Sequence, residues 1–241
     1  MKRPPPHRGL SEVVNVVDED PDLAQDLSTE QLEKARLVAV ARLAVVKPGD
    51  ELPPAHIPVE SGALGLLMLE GVVVRSFGVG DRRGLELFGA GDVLRPCERT
   101  GDVPLIVPAE VTWWALARTR LALLDARFTR RMCAHPEVIA QLIGRLERRS
   151  SAHALRRTII QQPRLPERLH LLLWHLADRF GRVHADGVVL PLPLSHELLA
   201  QLAGAQRPSI SRALKQLERA EVVARRPDGS WWLVGAPPLG A

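Results

Sequence analysis

The sequence predicts an α+β chain: an N-terminal antiparallel β-roll, a long central helix, and a C-terminal helix-turn-helix closed by a hairpin. Three observations carry that prediction. From about Val45 to Leu124, apolar runs such as "LGLLMLEGVVVRSFGV" and "LALLD" alternate with the turn pairs Pro48-Gly49, Gly80-Asp81 and Gly91-Asp92. Residues 136–162 then run as "PEVIAQLIGRLERRSSAHALRRTIIQQ", with apolar residues at helical spacing. Finally "LAQLAGAQRPSISRALKQLERAEVVARRPDGSWWLVG", residues 199–235, gathers Arg, Gln, Ser and Lys beside apolar residues of the same period.

Taken in order, the elements read as follows. Residues 1–34 form a mobile Pro-rich, basic tip, "MKRPPPHRGL", and a short helix; Leu23–Leu43 has room for one helix or two. Residues 35–134 make the β-roll, and "GVGDRRG" within it is a hairpin turn, because it opens no helix. Residues 135–163 form the long helix, begun by Pro136 in its first turn and ended by Pro163. Such a helix is about 40 Å long at 1.5 Å per residue, which outruns the core of a small domain. A subunit-crossing helix is therefore expected, with Ile139, Leu142, Leu146 and His153 at its seam. Residues 164–241 follow, with an apolar helix ending at Gly181, the extended piece "VVLPLPLS", and the polar-faced segment.

In that segment Ser195 caps a helix through "HELLAQLA", and a second helix runs from about Arg207 to Ala220. Small Ala200 allows a close helix crossing, Gly204 allows the turn, and branched Ile210 fills the joint. Leu199, Leu202, Leu214 and Leu217 take the inner face, which points Gln206, Arg207, Ser209, Ser211, Arg212 and Lys215 outward. An exposed helix start of this kind suits the major groove, where Arg reads guanine and Ser and Lys hold phosphates. "EVVARRPDGSWWLVG" adds a hairpin turning at Asp228-Gly229, with Arg225 and Arg226 placed for backbone contacts.

On these residues the chain resembles the Crp/Fnr family of bacterial transcription regulators over roughly residues 35–235, most closely in "LSHELLAQLAGAQRPSISRALKQLERAEVV". The family's recognition helix usually carries Arg-Glu-x-x-x-Arg. Here the pattern is Arg207-Pro208-Ser209-Ile210-Ser211-Arg212: both arginines stay and Pro replaces the Glu. The β-roll resembles the cyclic-nucleotide-binding fold through Gly71 in "MLEGVVV" and Gly91-Asp92 in "LFGAGDVL". The family's nucleotide binders continue with Phe-Gly-Glu and Arg-Thr/Ser-Ala, whereas this chain reads "VLRPCERTGDVPLIVPAEVTWWALA". The phosphate cassette is therefore degenerate and cyclic AMP is not the expected ligand. Arg95, Arg99, Arg149 and one tryptophan of Trp113-Trp114 remain as candidates for another pocket; of that pair one fills the core and one points away.

Composition bounds the alternatives. The 241 residues hold 32 Lys and Arg against 28 Asp and Glu, a mild basicity that suits a nucleic-acid partner without requiring one. Cys97 and Cys133 lie far apart and outside any zinc pattern, so both read as free thiols and neither an iron–sulfur centre nor another cofactor is expected. His56, His135 and His153 read as solvated or core histidines, with no metal site among them. No signal-peptide core or apolar run of about 18 residues is present, so a cytoplasmic protein without a membrane partner is expected. No nucleophile elbow, P-loop or dinucleotide fingerprint points to an enzyme. The expected partners are a palindromic double-stranded DNA, a second copy of the chain, RNA polymerase, and a small-molecule effector of unspecified identity. A protein-interaction scaffold without sequence-specific DNA binding is the competing reading.

Overall fold

The computed structural model of the chain describes residues 12–52, 62–95 and 110–238. The Pro-rich tip, His56, Cys97, Arg99 and most of the segment after Leu94 lie outside the described residues. The chain forms two compact units, residues 1–75 with 87–149 and residues 76–86 with 150–241.

In the first unit, strand β1 (Val13–Asn15) runs into the short helix α1 (Val16–Glu19), a 3₁₀ turn at Pro21–Ala24 and helix α2 (Thr29–Val38). Helix α2 starts in a reciprocal cap: the Ser28 side chain accepts from Gln31 N and the Gln31 side chain accepts from Ser28 N. The roll then follows as β2 (Val40–Val46), β3 (Gly65–Glu70), β4 (Val73–Val79), β5 (Arg82–Phe88), β6 (Val93–Leu94), β7 (Glu110–Ala115) and β8 (Thr119–Leu124). One sheet has the order β1-β2-β8-β3-β6 and the other β5-β4-β7.

Both faces of the five-stranded sheet are covered, which explains why its strands are apolar runs instead of simple alternations. Along β8, Leu121 and Leu123 enter one core with Met68, Phe88 and Trp113. Ala122 and Leu124 enter the other with Val14, Val16 and Phe128. The second of these cores needs β1 and helix α3 (Ala126–Met132), neither of which the sequence pattern reveals. Three residues are too few to show a period, and α3 opens on Asp125, whose carboxylate accepts from Phe128 N at 2.8 Å. The first unit therefore begins well before residue 35, and a boundary at 34 falls inside α2.

Helix α4 spans Pro136–Ile160, close to the predicted range, and the division between the units falls within it, after Arg149. In the second unit, α5 (Leu165–Phe180) precedes β9 (Arg182–His184), β10 (Gly187–Leu190), α6 (His196–Ala203), α7 (Arg207–Arg219), β11 (Val223–Arg225) and β12 (Trp231–Val234). The four strands form one antiparallel sheet, β11-β12-β10-β9. Strand β9 is exposed along its length, so no alternation marks it in the sequence. The core of this unit is built from Leu169, Leu172, Leu173, Leu199, Ile210, Leu214 and Trp231, all buried.

Candidate nucleic-acid interface

The local chemistry of α6 and α7 fixes their geometry. Ser195 Oγ accepts from Leu198 N at 3.1 Å and so closes the first turn of α6. Gly204 ends that helix at φ 63°, a left-handed conformation that a side chain resists. The carbonyls left over at the end of α6 are met by two arginines: Arg156 Nη2 donates to Leu202 O at 3.3 Å, and Arg168 Nη1 donates to Ala203 O at 3.2 Å. Arg168 also donates from Nε and Nη2 to Gln162 O, at 2.8 and 2.6 Å. These two positioning residues escape sequence reasoning, because nothing in their spacing connects them to α6.

Helix α7 begins without a side-chain cap: Gln206 stands at the N-cap and makes no such bond. Pro208 is the second helical residue, where its missing N–H costs no intrahelical bond. Ile210, Ala213, Leu214 and Leu217 are buried, and no acidic residue lies in the first turn. Gln206, Arg207, Arg212 and Lys215 are exposed. Among the described residues the side chains of Gln206, Arg207 and Lys215 have no partner, whereas Arg212 Nη2 lies 3.4 Å from Ser209 Oγ. Five of the six predicted outward residues on α7 and its cap thus share one open face.

Ser211 differs. Its hydroxyl lies 2.8 Å from His196 Nδ1 and 3.2 Å from Arg207 O, so it ties α7 to α6 instead of standing free. His196, which sequence reasoning passes over, is held below its ordinary pKa by burial first, then by Arg225 and Arg207, against a smaller pull from Glu218. Ser195 is likewise committed to its cap.

The chain leaves α7 through Ala220 and Glu221, the latter at φ 57°. Val222 N donates to Leu217 O and Glu221 N to Glu218 O, the paired bonds of a left-handed helix stop. It then enters the hairpin β11–β12, which turns through Pro227-Asp228-Gly229, with Gly229 at φ 83°. Arg226 O accepts from Gly229 N and Arg226 N donates to Ser230 O, so the turn is one residue longer than the Asp-Gly pair suggests. Asp228 Oδ1 accepts from Ser230 N at 2.9 Å and Ser230 Oγ at 2.6 Å, which holds the Asp228 carboxyl below its usual range. Arg225 lies over the buried Trp231 ring at 5.5 Å, and Arg226 is exposed in the turn.

The candidate residues of the first unit are arranged differently. Asp92 is buried; Gly89 N donates to its Oδ2 at 2.9 Å, and Arg149 Nη1 donates to the same oxygen at 3.0 Å. The Arg149 guanidinium also stacks 3.4 Å from the centroid of Phe88 and donates to Leu87 O. Arg145 clasps Asp20 with both Nη atoms and donates to Gly91 O at 3.1 Å. Arg149 is therefore engaged by the Gly91-Asp92 loop and the Phe88 ring. Trp113 is the buried member of its pair, 5.1 Å from Phe88 and beneath Arg75, so it belongs to the core. Arg95 is exposed.

The seam residues of α4 also separate. Leu142 is only 2% exposed, sealed in the first unit's own core, and Ile139 packs partly against that core. Leu146 stays 45% exposed, as does the neighbouring Ile143 at 57%. His153 pairs through Nε2 with the buried Glu86 of its own chain. Leu142, one of the expected seam residues, is therefore buried within its own chain, whereas Ile143 and Leu146 stay open.

A capped helix, a left-handed turn, a second helix with an open cationic start and a following hairpin together define a winged helix-turn-helix. Residues 167–234 match the Crp-like helix-turn-helix domain. The chain is 28% identical over 135 residues to the HTH-type transcriptional regulator Cmr of Mycobacterium tuberculosis; the match covers 55% of this chain and about half, 51%, of that relative. Its fold is similar to that of a CooA variant from Carboxydothermus hydrogenoformans, with a TM-score of 0.59 at 17% identity over 93% of both chains. A cyclic nucleotide-binding domain containing protein from Listeria monocytogenes gives a TM-score of 0.63 at 16% identity, over 80% of this chain and 88% of that one. The CRP/FNR regulator TTHA1359 of Thermus thermophilus gives 0.56 at 19% identity, over 80% and 93%. Residues 167–234 are thus a Crp-like helix-turn-helix domain, and the fold around them is similar to that of CRP/FNR-type transcription regulators. Among the described residues no helix is long and apolar enough to cross a membrane.

Proposed function

We propose that the chain is a sequence-specific DNA-binding regulator that works as a homodimer and does not depend on cyclic AMP. The observation that carries this reading is the open face of α7 and its cap, where Gln206, Arg207 and Lys215 stand exposed without a partner among the described residues. Arg207 and Arg212 read base edges, Lys215 and Arg226 hold phosphates, and Arg225 is steadied by Trp231 for the same purpose. Pro208, standing where relatives of this kind place an acidic reader, changes the half-site without removing the basic contacts.

Dimerisation supports the reading through the spacing of α4. Ile139, Ile143, Leu146, Ser150, His153, Arg157 and Ile160 recur at alternating intervals of four and three, the period of a two-stranded coiled coil. A two-fold axis along that seam offers two α7 helices to half-sites about one DNA turn apart. Independence from cyclic AMP is supported by Arg149, which is spent on Asp92 and Phe88 and is unavailable to a cyclic phosphate. Cytoplasmic action and contact with RNA polymerase accompany this reading.

Selection of bound DNA from a random pool, followed by anisotropy titration with and without cyclic AMP, tests it. A palindromic consensus bound equally well under both conditions is the expected result, and Leu146→Asp is expected to give monomers that lose the full operator. Equal affinity for all sequences, or operator affinity that rises with cyclic AMP, overturns it.

A further inference from the structure

We propose a second binding site in the first unit, a cationic cleft between β2 and α3 that takes a small phosphate- or carboxylate-bearing anion. The cleft has a volume of about 400 Å³ and is lined by Arg42, Arg127, Arg131, Asp125 and an apolar wall that includes Val13 and Leu123. That size falls within the range of small-molecule sites. Its floor follows from strand register: Val13 pairs with Arg42 and Arg42 with Leu123, so the three side chains form one row across β1, β2 and β8.

Three guanidinium groups face one carboxylate, and that carboxylate is already in use. Asp125 Oδ1 accepts from Phe128 N at the start of α3, and Oδ2 lies 3.6 Å from Arg42, too long for a tight bond. Arg131 is fixed before any ligand arrives, since Nε donates to Val38 O at 3.0 Å and Nη2 to Val40 O at 2.5 Å. Arg127 has no hydrogen bond or ion pair among the described residues, although it lines the same space. Three like charges beside a single carboxylate are incompletely neutralised, and an oxyanion reduces their repulsion while accepting paired guanidinium bonds. The pinned Arg131 loses little freedom on binding, and the apolar wall receives a short carbon skeleton. The cleft shares no residue with the Asp92–Arg149 cluster or with the helix-turn-helix.

Calorimetric titration of the full chain with inorganic phosphate, 2-phosphoglycolate and citrate, at constant ionic strength in chloride, tests the proposal by a readout independent of DNA. Saturable one-to-one binding of at least one probe below about 1 mM is expected. Arg127→Ala and Arg42→Ala should each weaken it by about tenfold, as loss of a charge-assisted contact does. Asp125→Asn, which keeps a capping oxygen, should tighten it, and Arg130→Ala, on the same helix but outside the lining, should leave it unchanged. Equal affinity for phosphate and phosphoglycolate identifies free phosphate as the occupant, and preference for phosphoglycolate or citrate identifies an organic anion. No saturable binding of any probe, or an Arg130→Ala loss equal to that of Arg127→Ala, overturns the site.

Discussion

The arginines of α4 and those of α7 have opposite fates. Arg145 and Arg149 are largely buried and committed, the first to Asp20 and Gly91, the second to Asp92, Leu87 and the Phe88 ring. Arg207 and Arg212 are exposed at the start of a helix that has no acid in its first turn. Residue type and net charge are the same in both places. Partners decide the role: a guanidinium already holding a carboxylate braces the fold, and one without a carboxylate is available to an external anion.

That contrast can be broken from its structural side first. Asp92→Ala takes a carboxylate from Arg149, whose side chain is only 12% exposed, and is expected to cost about 1.5–3 kcal/mol of the first unit's stability. Urea unfolding measures it, and a midpoint equal to wild type shows that the pair carries no structural load. From the other side, Arg207→Ala and Arg212→Ala should leave unfolding unchanged while each weakens operator binding by about 1–3 kcal/mol and relaxes one base preference. Lys215→Ala should weaken all sequences evenly, and anisotropy against matched and scrambled operators separates the two patterns.

A smaller effect sharpens the comparison within the helix-turn-helix itself. Ser195→Ala removes the cap of α6 and should lower stability by about 1 kcal/mol, read as a reduced thermal midpoint with base preference intact. The least local effect is on pH. His170, His175 and His196 all lie below the ordinary value of 6.5, in each case chiefly because burial disfavours the charged ring. His170 Nε2 accepts from Trp174 Nε1 at 3.0 Å, a bond that only the neutral ring can make. The unfolded chain therefore binds more protons than the folded one once pH falls through about 6.5. Stability of the second unit should be full above that pH and decline below it, as unfolding midpoints at neutral and mildly acidic pH will reveal; His170→Gln should reduce the decline.

Legibility in the sequence followed the range of the interactions. The helix-turn-helix was readable because its signals are local: Ser195 three residues before the amide it caps, Gly204 at the one left-handed position between the helices, and leucines at helical period. The long helix was readable for the same reason, with Pro136 opening it. The hairpin turn at Gly80-Asp81 likewise announced itself. Strand β1 stayed hidden, because its three residues acquire meaning only by pairing Val13–Asn15 with Val40–Arg42. Trp113 and Trp114 showed that one would be buried, but not which one, since strand phase is set by the partner sheet.

The sequence by itself therefore determined the long helix, the two helices of the helix-turn-helix with the Ser195 cap and the Gly204 turn, and the basic start of α7, all consequences of backbone preference and side-chain period within a few residues. Only the tertiary structure decided which charged side chains were spent. Arg149 meets Asp92 across 57 positions and Arg145 meets Asp20 across 125. It also sealed Leu142 inside the core and left Ile143, the next residue, open to a partner. Long-range pairing depends on how sheets and helices bring distant residues together, and that juxtaposition leaves no periodic trace along the chain.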